Sequence, residues 1–311
     1  MSDDEDPVPT GGNDTLTAVT GVSVGHWSDA RARTGCTVVY LGPQGMVASG
    51  AVLGAAPGTR EVALLAPEKT VQCAHAFVLT GGSAFGLASA HGVMRVLEGR
   101  GVGVAAPAGP VPIVPAAAIY DLAVGDPTVR PGEAEGAYAL EHATDAPVAL
   151  GAVGVGCGAS VGKLLGIERA VASGLGSAVR SVRGALVGAL AVSNALGSLV
   201  DPSDGRLVAG HGDADPEDVA DHLGCVAHTN TTLVAIVTDA SIDKAGAQAL
   251  AYAAHAGIAR VTFPSHTAAD GDVAFVATSG RGPSVALTAL GVAVQAVVAE
   301  ALLRGARAVA A

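Results

Sequence analysis

The sequence predicts a layered fold in which sheets and helices pack around a core of small apolar side chains. Half of the 311 residues are hydrophobic, but only 3% are aromatic and 43 are glycine. The core must therefore be built from alanine, valine and leucine with close backbone contacts. Apolar β-branched runs and helix-like segments follow one another along the chain, which is long enough to bury an ample core.

The N-terminal half begins with an acidic segment, residues 1–15, which we expect to be disordered. A helix is predicted to begin at Ser83 and to run to about Leu97, because Val93, Met94 and Leu97 share one face. Strands are expected near 16–25, 36–41, 46–53, 76–80, 112–123 and 148–156, and a second helix near 133–143.

The C-terminal half contains one strongly polar segment, GHGDADPEDVADH at 210–222. Its carboxylates and proline predict an exposed linker. Strands are expected near 184–193, 206–209, 232–238 and 272–278, and helices near 243–257 and 284–304. The uncharged runs 146–162 and 184–200 are glycine-rich and about 17 residues long, so we expect no membrane span.

Charge and cysteine usage restrict the partners. A net charge of −11 argues against nucleic acid and anionic membranes, whose phosphates would be repelled. The acidic N-terminus does not resemble a secretory signal, so a cytoplasmic location is expected. The four cysteines, Cys36, Cys73, Cys157 and Cys225, form no C-x-x-C pair and do not cluster with histidine, which predicts reduced thiols and no metal site.

Two glycine-rich motifs resemble nucleotide-binding loops but lack essential residues. GVGCGA at 154–159 fits a relaxed dinucleotide fingerprint, yet no acidic residue ends a following strand at the expected distance. CGASVGKL at 157–164 has Cys157 in place of the first glycine of a phosphate loop and Leu164 in place of the residue that binds magnesium. We therefore expect no cofactor.

A polar cluster opens the strand predicted at 232–238. Residues 228–240 read HTNTTLVAIVTDA, so Asn230 and two threonines precede a β-branched run. Threonine favours strands, and polar residues commonly mark the edge of a sheet, so a purely structural role is the first interpretation. A functional role needs partners elsewhere in the chain.

Eight segments resemble the P1 (S58) peptidase family, which contains the L-aminopeptidase/D-esterases, the β-peptidyl aminopeptidases and the nylon-oligomer hydrolases. They occur in the order of the family and span about residues 16–304, which makes the series far more specific than any one segment. The segments are GVSVGHW (21–27), TGCTVV (34–39), LTGGSAFGL (79–87), VPIVPAAAIYDL (112–123), GASVGKL (158–164), VSNALGSLVDP (192–202), NTTLVAIVTDA (230–240) and HTAADGDVAFVAT (266–278).

This resemblance implies an α+β fold, an αββα sandwich of the N-terminal-nucleophile-hydrolase type, formed as a single domain by residues 16–311. It also implies a precursor that cleaves itself once and exposes its nucleophile at a new N-terminus. The matching nucleophile is Thr231, so cleavage after Asn230 would give fragments 1–230 and 231–311. Thr232 is the competing assignment, but the family pattern places the cut directly after the asparagine.

An N-terminal threonine carries its own base. Its hydroxyl is a poor nucleophile near neutral pH, and the free α-amine of the same residue, with a reference pKa of about 7.7–8, is able to take the proton. An uncut chain has only an amide nitrogen there, so cleavage would be activation. Histidine is not needed as the base, and we expect structural roles for His26 and His266.

The resemblance assigns three further polar side chains to the reaction centre. Lys163 matches a lysine whose ammonium favours the neutral amine and stabilises negative charge; an exposed strand-end lysine is the structural alternative. Asn194 interrupts an apolar run and is expected to donate to the oxyanion, although a packed turn would also explain it. Tyr120 matches a tyrosine near the oxyanion, but it also fits the edge of a core.

Two more segments complete the predicted site. Asp270 and Asp272 are expected to hold the amine and hydroxyl of the nucleophile, with a tight turn before a strand as the structural alternative. Gly81, Gly82 and Ser83 are expected to line the substrate cleft through their backbone at the start of a helix.

Together these assignments predict an amide hydrolase that forms an ester on Thr231 and releases it with water. Small peptides, amino-acid amides, D-amino-acid esters and amide oligomers all stay open as substrates. The alternatives are an acyltransferase of the ornithine-acetyltransferase type and an unprocessed homologue that binds a small molecule. Family members form tetramers of processed heterodimers, so we expect a homotetramer.

Overall fold

The computed structural model describes residues 12–212 and 229–310. Its helices are α1 (Ser83–Gly86), α2 (Ser89–Gly99), α3 (Glu133–Glu141), α4 (Lys244–Val261) and α5 (Leu287–Ala310). Its strands are β1 (Ser23–Asp29), β2 (Thr34–Tyr40), β3 (Met46–Val52), β4 (Gly58–Arg60), β5 (Cys73–Ala74), β6 (Ala76–Thr80), β7 (Ala116–Ala118), β8 (Ser160–Val161), β9 (Val171–Ala172), β10 (Leu175–Val182), β11 (Ala185–Asn194), β12 (Ser198–Val200), β13 (Leu207–Ala209), β14 (Thr231–Thr238), β15 (Thr262–Phe263) and β16 (Val273–Thr278).

Two large sheets form the centre of the molecule. One has five strands in the order β1-β2-β6-β7-β4, and the other has six in the order β10-β11-β14-β16-β3-β5. In the six-stranded sheet, β14 pairs antiparallel with β11 and parallel with β16. The N-terminal end of β14 therefore meets the C-terminal end of β11 and the N-terminal end of β16.

Three apolar cores separate four layers. The first lies between α2, α3 and the five-stranded sheet, and the third lies between the six-stranded sheet and helices α4 and α5. The middle core joins the two sheets, where Phe77 of β6 stacks on Phe275 of β16 with ring centroids 5.0 Å apart. This is the predicted αββα sandwich.

Alternation along β14 sets the direction of its side chains. All eight residues are buried. Leu233, Ala235 and Val237 belong to the core between the sheets, whereas Val234 and Ile236 belong to the core beneath the helices. Because strand side chains alternate with a period of two, Thr231 faces the space between the sheets and Thr232 faces the helices.

Most predicted elements are confirmed, and three differ in extent. The strand predicted near 16–25 begins only at Ser23, because Leu16–Ala18 forms a 3₁₀ turn. The helix predicted from Ser83 to Leu97 is divided into α1 and α2. The strand predicted at 112–123 shrinks to β7, because Pro112 and Pro115 lack the N–H groups that strand pairing requires.

One predicted strand, at 148–156, is wrong. This segment is a loop that ends in a 3₁₀ turn at Gly154–Gly158, and Gly151 and Gly154 have φ angles of +91° and +54°. Such left-handed conformations interrupt a strand and favour glycine.

Two other predictions fall largely outside the described residues: the tail at residues 1–11 and the linker at residues 213–222. Within the described part, Thr15 is buried and donates its hydroxyl hydrogen to Asn13 Oδ1 at 2.7 Å. The described chain is thus anchored a little earlier than the predicted boundary of the tail.

Helix α5 satisfies the length and hydropathy of a membrane-crossing helix, with a mean hydropathy of 1.6. Its apolar residues belong to the core that it shares with α4 and the six-stranded sheet. Gly176 of β10 faces the backbone of Ala301 in α5, where a Cβ atom would collide with the carbonyl oxygen. These contacts are typical of the core helix of a layered protein.

Candidate active site

The predicted nucleophile lies where three strand ends meet. Thr231 is the first residue of β14 and stands opposite Asn194, the last residue of β11. Asn230, directly before it, bridges to Asp270 ahead of β16. Strand register therefore brings together four of the residues that the sequence singled out.

The Thr231 hydroxyl contacts the peptide bond at which cleavage was predicted. Thr231 is 4% exposed, and its Oγ1 donates a hydrogen bond to the carbonyl oxygen of Asn230 at 2.5 Å. The backbone N–H of Gly271 donates to the same oxygen at 2.7 Å. A Cβ atom on Gly271 would lie 2.5 Å from the carbonyl oxygen of Ala56 and 2.9 Å from Thr231 Oγ1, so glycine is required for this close approach.

Lys163 is buried and directed into the same cluster. Its Nζ donates to the backbone oxygen of Asn194 at 2.8 Å and to Asn194 Oδ1 at 2.7 Å. Burial lowers the pKa of Lys163 to about 7, against the opposing effect of the carboxylates of Asp270 and Asp121. The exposed strand-end lysine that was its structural alternative does not describe a side chain 5% exposed.

Asn194 uses all its polar side-chain atoms. Its Oδ1 accepts from Lys163 Nζ and, at 3.1 Å, from the backbone N–H of Ser160. Its Nδ2 donates to the carbonyl oxygens of Tyr120 at 3.1 Å and Thr229 at 3.2 Å. Tyr120 thus joins the cluster through its backbone, and Thr229 belongs to the segment just before the predicted cut.

The two predicted carboxylates lie beside the neighbours of the predicted nucleophile, Asp270 beside Asn230 and Asp272 beside Thr232. Asp270 is fully buried and accepts from the Thr267 hydroxyl at 2.5 Å and backbone N–H at 2.9 Å. Burial, and secondly the neighbouring Asp272, raise the pKa of Asp270. Asp272 Oδ1 accepts from the backbone N–H of Thr232 at 2.5 Å, and so contacts the residue that follows the nucleophile.

The predicted cleft segment is held by a residue that sequence reasoning missed. Gly82 and Ser83 have left-handed φ angles of +77° and +54°. Buried Asp121 accepts from the backbone N–H of Gly82 at 2.7 Å and from the Thr34 hydroxyl at 2.7 Å. Its position directly after Tyr120, in a matched segment, was the available signal. Burial raises the pKa of Asp121.

His266, for which a structural role is predicted, contacts one of the predicted carboxylates. Its Nδ1 lies 2.7 Å from Asp272 Oδ2. His26 lies elsewhere, with Nδ1 3.0 Å from the Thr37 hydroxyl on the neighbouring strand. Within residues 12–212 and 229–310, no group of three or more histidine, cysteine or acidic side chains is arranged to hold a metal ion.

Comparison with known proteins identifies the family of this chain. The family model for peptidase family S58 matches residues 14–310. The chain belongs to peptidase family S58. As an S58 member, it is a hydrolase that acts on amide bonds.

Curated S58 relatives cover most of the chain. A protein named as an uncharacterized aminopeptidase in Mycobacterium tuberculosis (strain ATCC 25618 / H37Rv) is 40% identical over 290 residues, which are 86% of this chain and 81% of the relative. A 6-aminohexanoate-oligomer endohydrolase of Kocuria sp. (strain KY2) is 31% identical over 333 residues, covering 97% of this chain and 88% of that enzyme.

Solved structures confirm the S58 fold. A β-aminopeptidase of Burkholderia sp. superposes with a TM-score of 0.73 at 20% identity, covering 94% of this chain and 86% of that one. The L-aminopeptidase D-Ala-esterase/amidase of Ochrobactrum anthropi, described as a variant of the Ntn hydrolase fold, has a TM-score of 0.73 at 19% identity, covering 96% and 86% of the two chains.

Proposed function

We propose that this S58 enzyme is a self-processing hydrolase whose nucleophile is Thr231, cleaving amide bonds of small peptides or amide oligomers. The observation that carries the proposal is the double contact at Asn230. Its carbonyl oxygen receives the Thr231 hydroxyl and the Gly271 N–H, at 2.5 and 2.7 Å. Nucleophile and electrophile are thus adjacent in a buried site, with a donor facing the oxygen that becomes negative.

Self-cleavage proceeds through an ester. Thr231 Oγ1 attacks the carbonyl carbon of Asn230, the bond to the Thr231 nitrogen breaks, and this nitrogen takes the hydroxyl proton and becomes an amine. Water then hydrolyses the ester, which leaves a carboxylate on Asn230 and a free hydroxyl on Thr231. The Gly271 N–H stabilises the oxyanion during the first step.

Cleavage also changes what Asn194 is able to bind. Before the cut, its Nδ2 is occupied by the carbonyl oxygens of Tyr120 and Thr229. Release of the new chain end removes Thr229 and frees one N–H of a fully buried amide. A substrate carbonyl is the natural replacement, so Asn194 becomes an oxyanion donor only in the processed enzyme.

In turnover, the α-amine of Thr231 takes the hydroxyl proton and returns it to the leaving amine. Lys163 contributes through its position and charge. Its pKa of about 7 leaves it partly protonated near neutral pH, where an ammonium favours the neutral α-amine and stabilises the oxyanion. Asp270 faces this ammonium, while Asp272 holds the adjacent backbone.

The relatives support the substrate class. Two of them are named for aminopeptidase and for 6-aminohexanoate-oligomer hydrolysis, which are both reactions of unactivated linear amides. We also propose a cytoplasmic homotetramer of processed heterodimers formed from one αββα domain. Light scattering of the processed enzyme tests the oligomer, and a monomer would contradict it.

Denaturing mass analysis tests the mechanism. The wild-type chain is expected to separate into fragments 1–230 and 231–311, and Thr231→Ala to stay intact, folded and inactive. Thr231→Ser keeps a hydroxyl and is expected to cleave more slowly. Cleavage of Thr231→Ala after Asn230 would refute the assignment, and a wild-type chain that stays full-length would favour the unprocessed binding homologue. Product analysis with competing amines separates hydrolysis from acyl transfer.

A further inference from the structure

The side chain of His266 lies between two oxygen acceptors behind the nucleophile strand. Its Nδ1 is 2.7 Å from Asp272 Oδ2, and its Nε2 is 3.1 Å from the carbonyl oxygen of His255. A carbonyl accepts only, so Nε2 must carry a hydrogen. Nδ1 then faces a carboxylate at ion-pair distance without forming a regular hydrogen bond, and the contact is attractive when Nδ1 also carries a hydrogen and the ring is charged.

The surroundings of the pair favour a positive charge there. Asp272 is 1% exposed. Burial opposes a charge on His266, but Asp272, the carbonyl oxygen of His255 and the second carboxylate, Asp270, together raise the pKa of His266 above its ordinary value. The carboxylates of Asp270 and Asp121 raise the pKa of Lys163, against the larger effect of its burial. Without a positive charge at His266, Asp272 would lose its ion-pair partner while lying beside Asp270, whose pKa is raised by burial and by Asp272.

The other titratable group against His266 is His255. The two rings meet edge to face with centroids 5.0 Å apart. Burial lowers the pKa of His255, and its Nε2 lies 3.1 Å from the carbonyl oxygen of Ala51, so this ring is a neutral donor. The pair His266–Asp272 thus has one neutral neighbour, His255, and one acidic neighbour, Asp270.

The backbone of His266 is also unusual. Its φ angle is +53°, a left-handed conformation that is uncommon for residues other than glycine and asparagine. This conformation lets the backbone N–H of His266 point to Asp272 Oδ2 as well, at 3.3 Å. Two groups of one residue therefore converge on one carboxylate oxygen.

We infer that His266 is a positioning residue that, as an imidazolium, holds the Asp272 carboxylate in place and directs it at the N–H of Thr232. The chain of contacts runs from His266 to Asp272 and from Asp272 Oδ1 to the backbone at Thr232, one residue after the nucleophile. The inference rests on the proposed function of Thr231. In that function the α-amine of Thr231 is the base, and His266 acts only by positioning Asp272.

The first test reads the charge directly. Histidine-ring NMR of the uncut Thr231→Ala chain follows each imidazole with pH, and loss of one signal in Thr231→Ala/His266→Asn assigns His266. The pKa of His266 is expected above the reference value of about 6.5 and to fall when Asp272 is changed to Asn. A pKa at or below the reference value, or one unaffected by Asp272→Asn, would overturn the inference.

The second test reads catalysis with variants that suit the left-handed backbone. His266→Gly removes the side chain, while His266→Asn keeps an N–H near the position of Nδ1 without a charge. With Gly, kcat is expected to fall by about tenfold or more at unchanged KM, because a buried carboxylate loses a charged partner. Asn is expected to restore part of kcat. It is also expected to lose the part of the alkaline decline in kcat that comes from deprotonation of His266, while the part that comes from Lys163 stays.

His26→Asn is the matched control, since His26 contacts Thr37 through the same ring nitrogen but lies away from the acidic pair. It is expected to keep the wild-type pH profile. A cooperatively folded His266→Gly variant with wild-type kcat and pH profile would overturn the inference. If wild type itself neither cleaves nor hydrolyses amides, the proposed function fails while the NMR titration still decides the role of His266.

Discussion

Thr231 and Thr232 are neighbours in sequence with opposite surroundings. Thr231 Oγ1 contacts the carbonyl oxygen of Asn230, whereas Thr232 Oγ1 is buried and has no hydrogen-bond partner in the described part of the chain. Alternation along β14 turns the second hydroxyl toward the helices. The direction of the two side chains therefore favours Thr231 over Thr232 as the nucleophile. The family pattern favours the same residue, because it places the cut directly after Asn230.

This difference predicts contrasting valine variants. Thr232→Val removes a hydroxyl without a partner, so it is expected to be neutral or stabilising by about 1 kcal/mol and to process and hydrolyse normally. Thr231→Val makes the same replacement of a hydroxyl by a methyl group, and this variant is expected to stay uncut. Time courses of fragment release and thermal unfolding of both variants provide the comparison; cleavage in Thr231→Val alone would reverse the assignment.

Asp121 gives a prediction about the cleft. Asp121→Ala leaves the buried N–H of Gly82 and the Thr34 hydroxyl without their acceptor, at a cost of about 1–3 kcal/mol. Because Gly82 belongs to the expected cleft, KM is predicted to rise more than kcat falls. Asp121→Asn keeps one acceptor and is the milder control. Steady-state kinetics and denaturant unfolding measure both effects, and an unchanged KM would separate Asp121 from the cleft.

Sequence reasoning found the residues of the cluster but not all of their contacts. Lys163, Asn194 and Asp270 lie in one cluster because each is at or near the end of a paired strand. Asp121 and His266 were missed as site residues, since their contacts depend on left-handed backbone at Ser83 and at His266 itself. Neither residue type is favoured there by local propensity, so the sequence carries no local signal of those turns.

At the scale of elements, glycine explains both why strand β10 was not predicted and how helix α5 approaches that strand closely. Strand β10 was not predicted, because its helix-facing positions include Gly176 and Ala178, which carry little hydrophobic signal. These small residues are required where α5 approaches: a side chain at Gly176 would collide with the Ala301 carbonyl. The pattern that identifies amphipathic strands is therefore weakest where the layers pack most closely.

Gly271 links two elements, since its N–H reaches from the start of β16 to the carbonyl of Asn230 before β14. In Gly271→Ala, the new methyl group would contact Ala56 and Thr231 Oγ1, so the N–H and the hydroxyl cannot both keep their places. Self-cleavage is expected to slow by about 100-fold or more, the loss seen for an oxyanion donor. Gly99→Ala, in open space on α2, is the control, and equal cleavage rates in both variants would contradict this role.

At the scale of the whole molecule, a buried cation is set into a sandwich of small apolar side chains. Lys163 stands 5% exposed at one end of the core between the sheets. Burial of an ammonium opposes folding, and the fall of its pKa from 10.5 to about 7 expresses that cost. Burial of Lys163 therefore lowers the free energy of unfolding, and the size of this loss depends on pH.

This cost predicts a pH-dependent difference between Lys163 and an uncharged side chain. Between pH 7 and 10.5 the folded state holds fewer protons at Lys163 than the unfolded state, so the free energy of unfolding rises with pH, by up to about 1.4 kcal/mol per unit. Below pH 7 both states are protonated and the full cost is present. Lys163→Met lacks this contribution, so the stability of the lysine form relative to the methionine form is expected to increase from pH 7 to 10.

Denaturant unfolding in the uncut Thr231→Ala background measures this difference at pH 7, 8.5 and 10. Both chains then unfold as single polypeptides, and the titrations of all other side chains that do not contact Lys163 cancel. A difference independent of pH would show that Lys163 keeps an ordinary pKa in the folded protein. A rising difference would connect a loss of folding free energy to the same desolvation that lowers the pKa of Lys163, the residue proposed to act on the Thr231 amine.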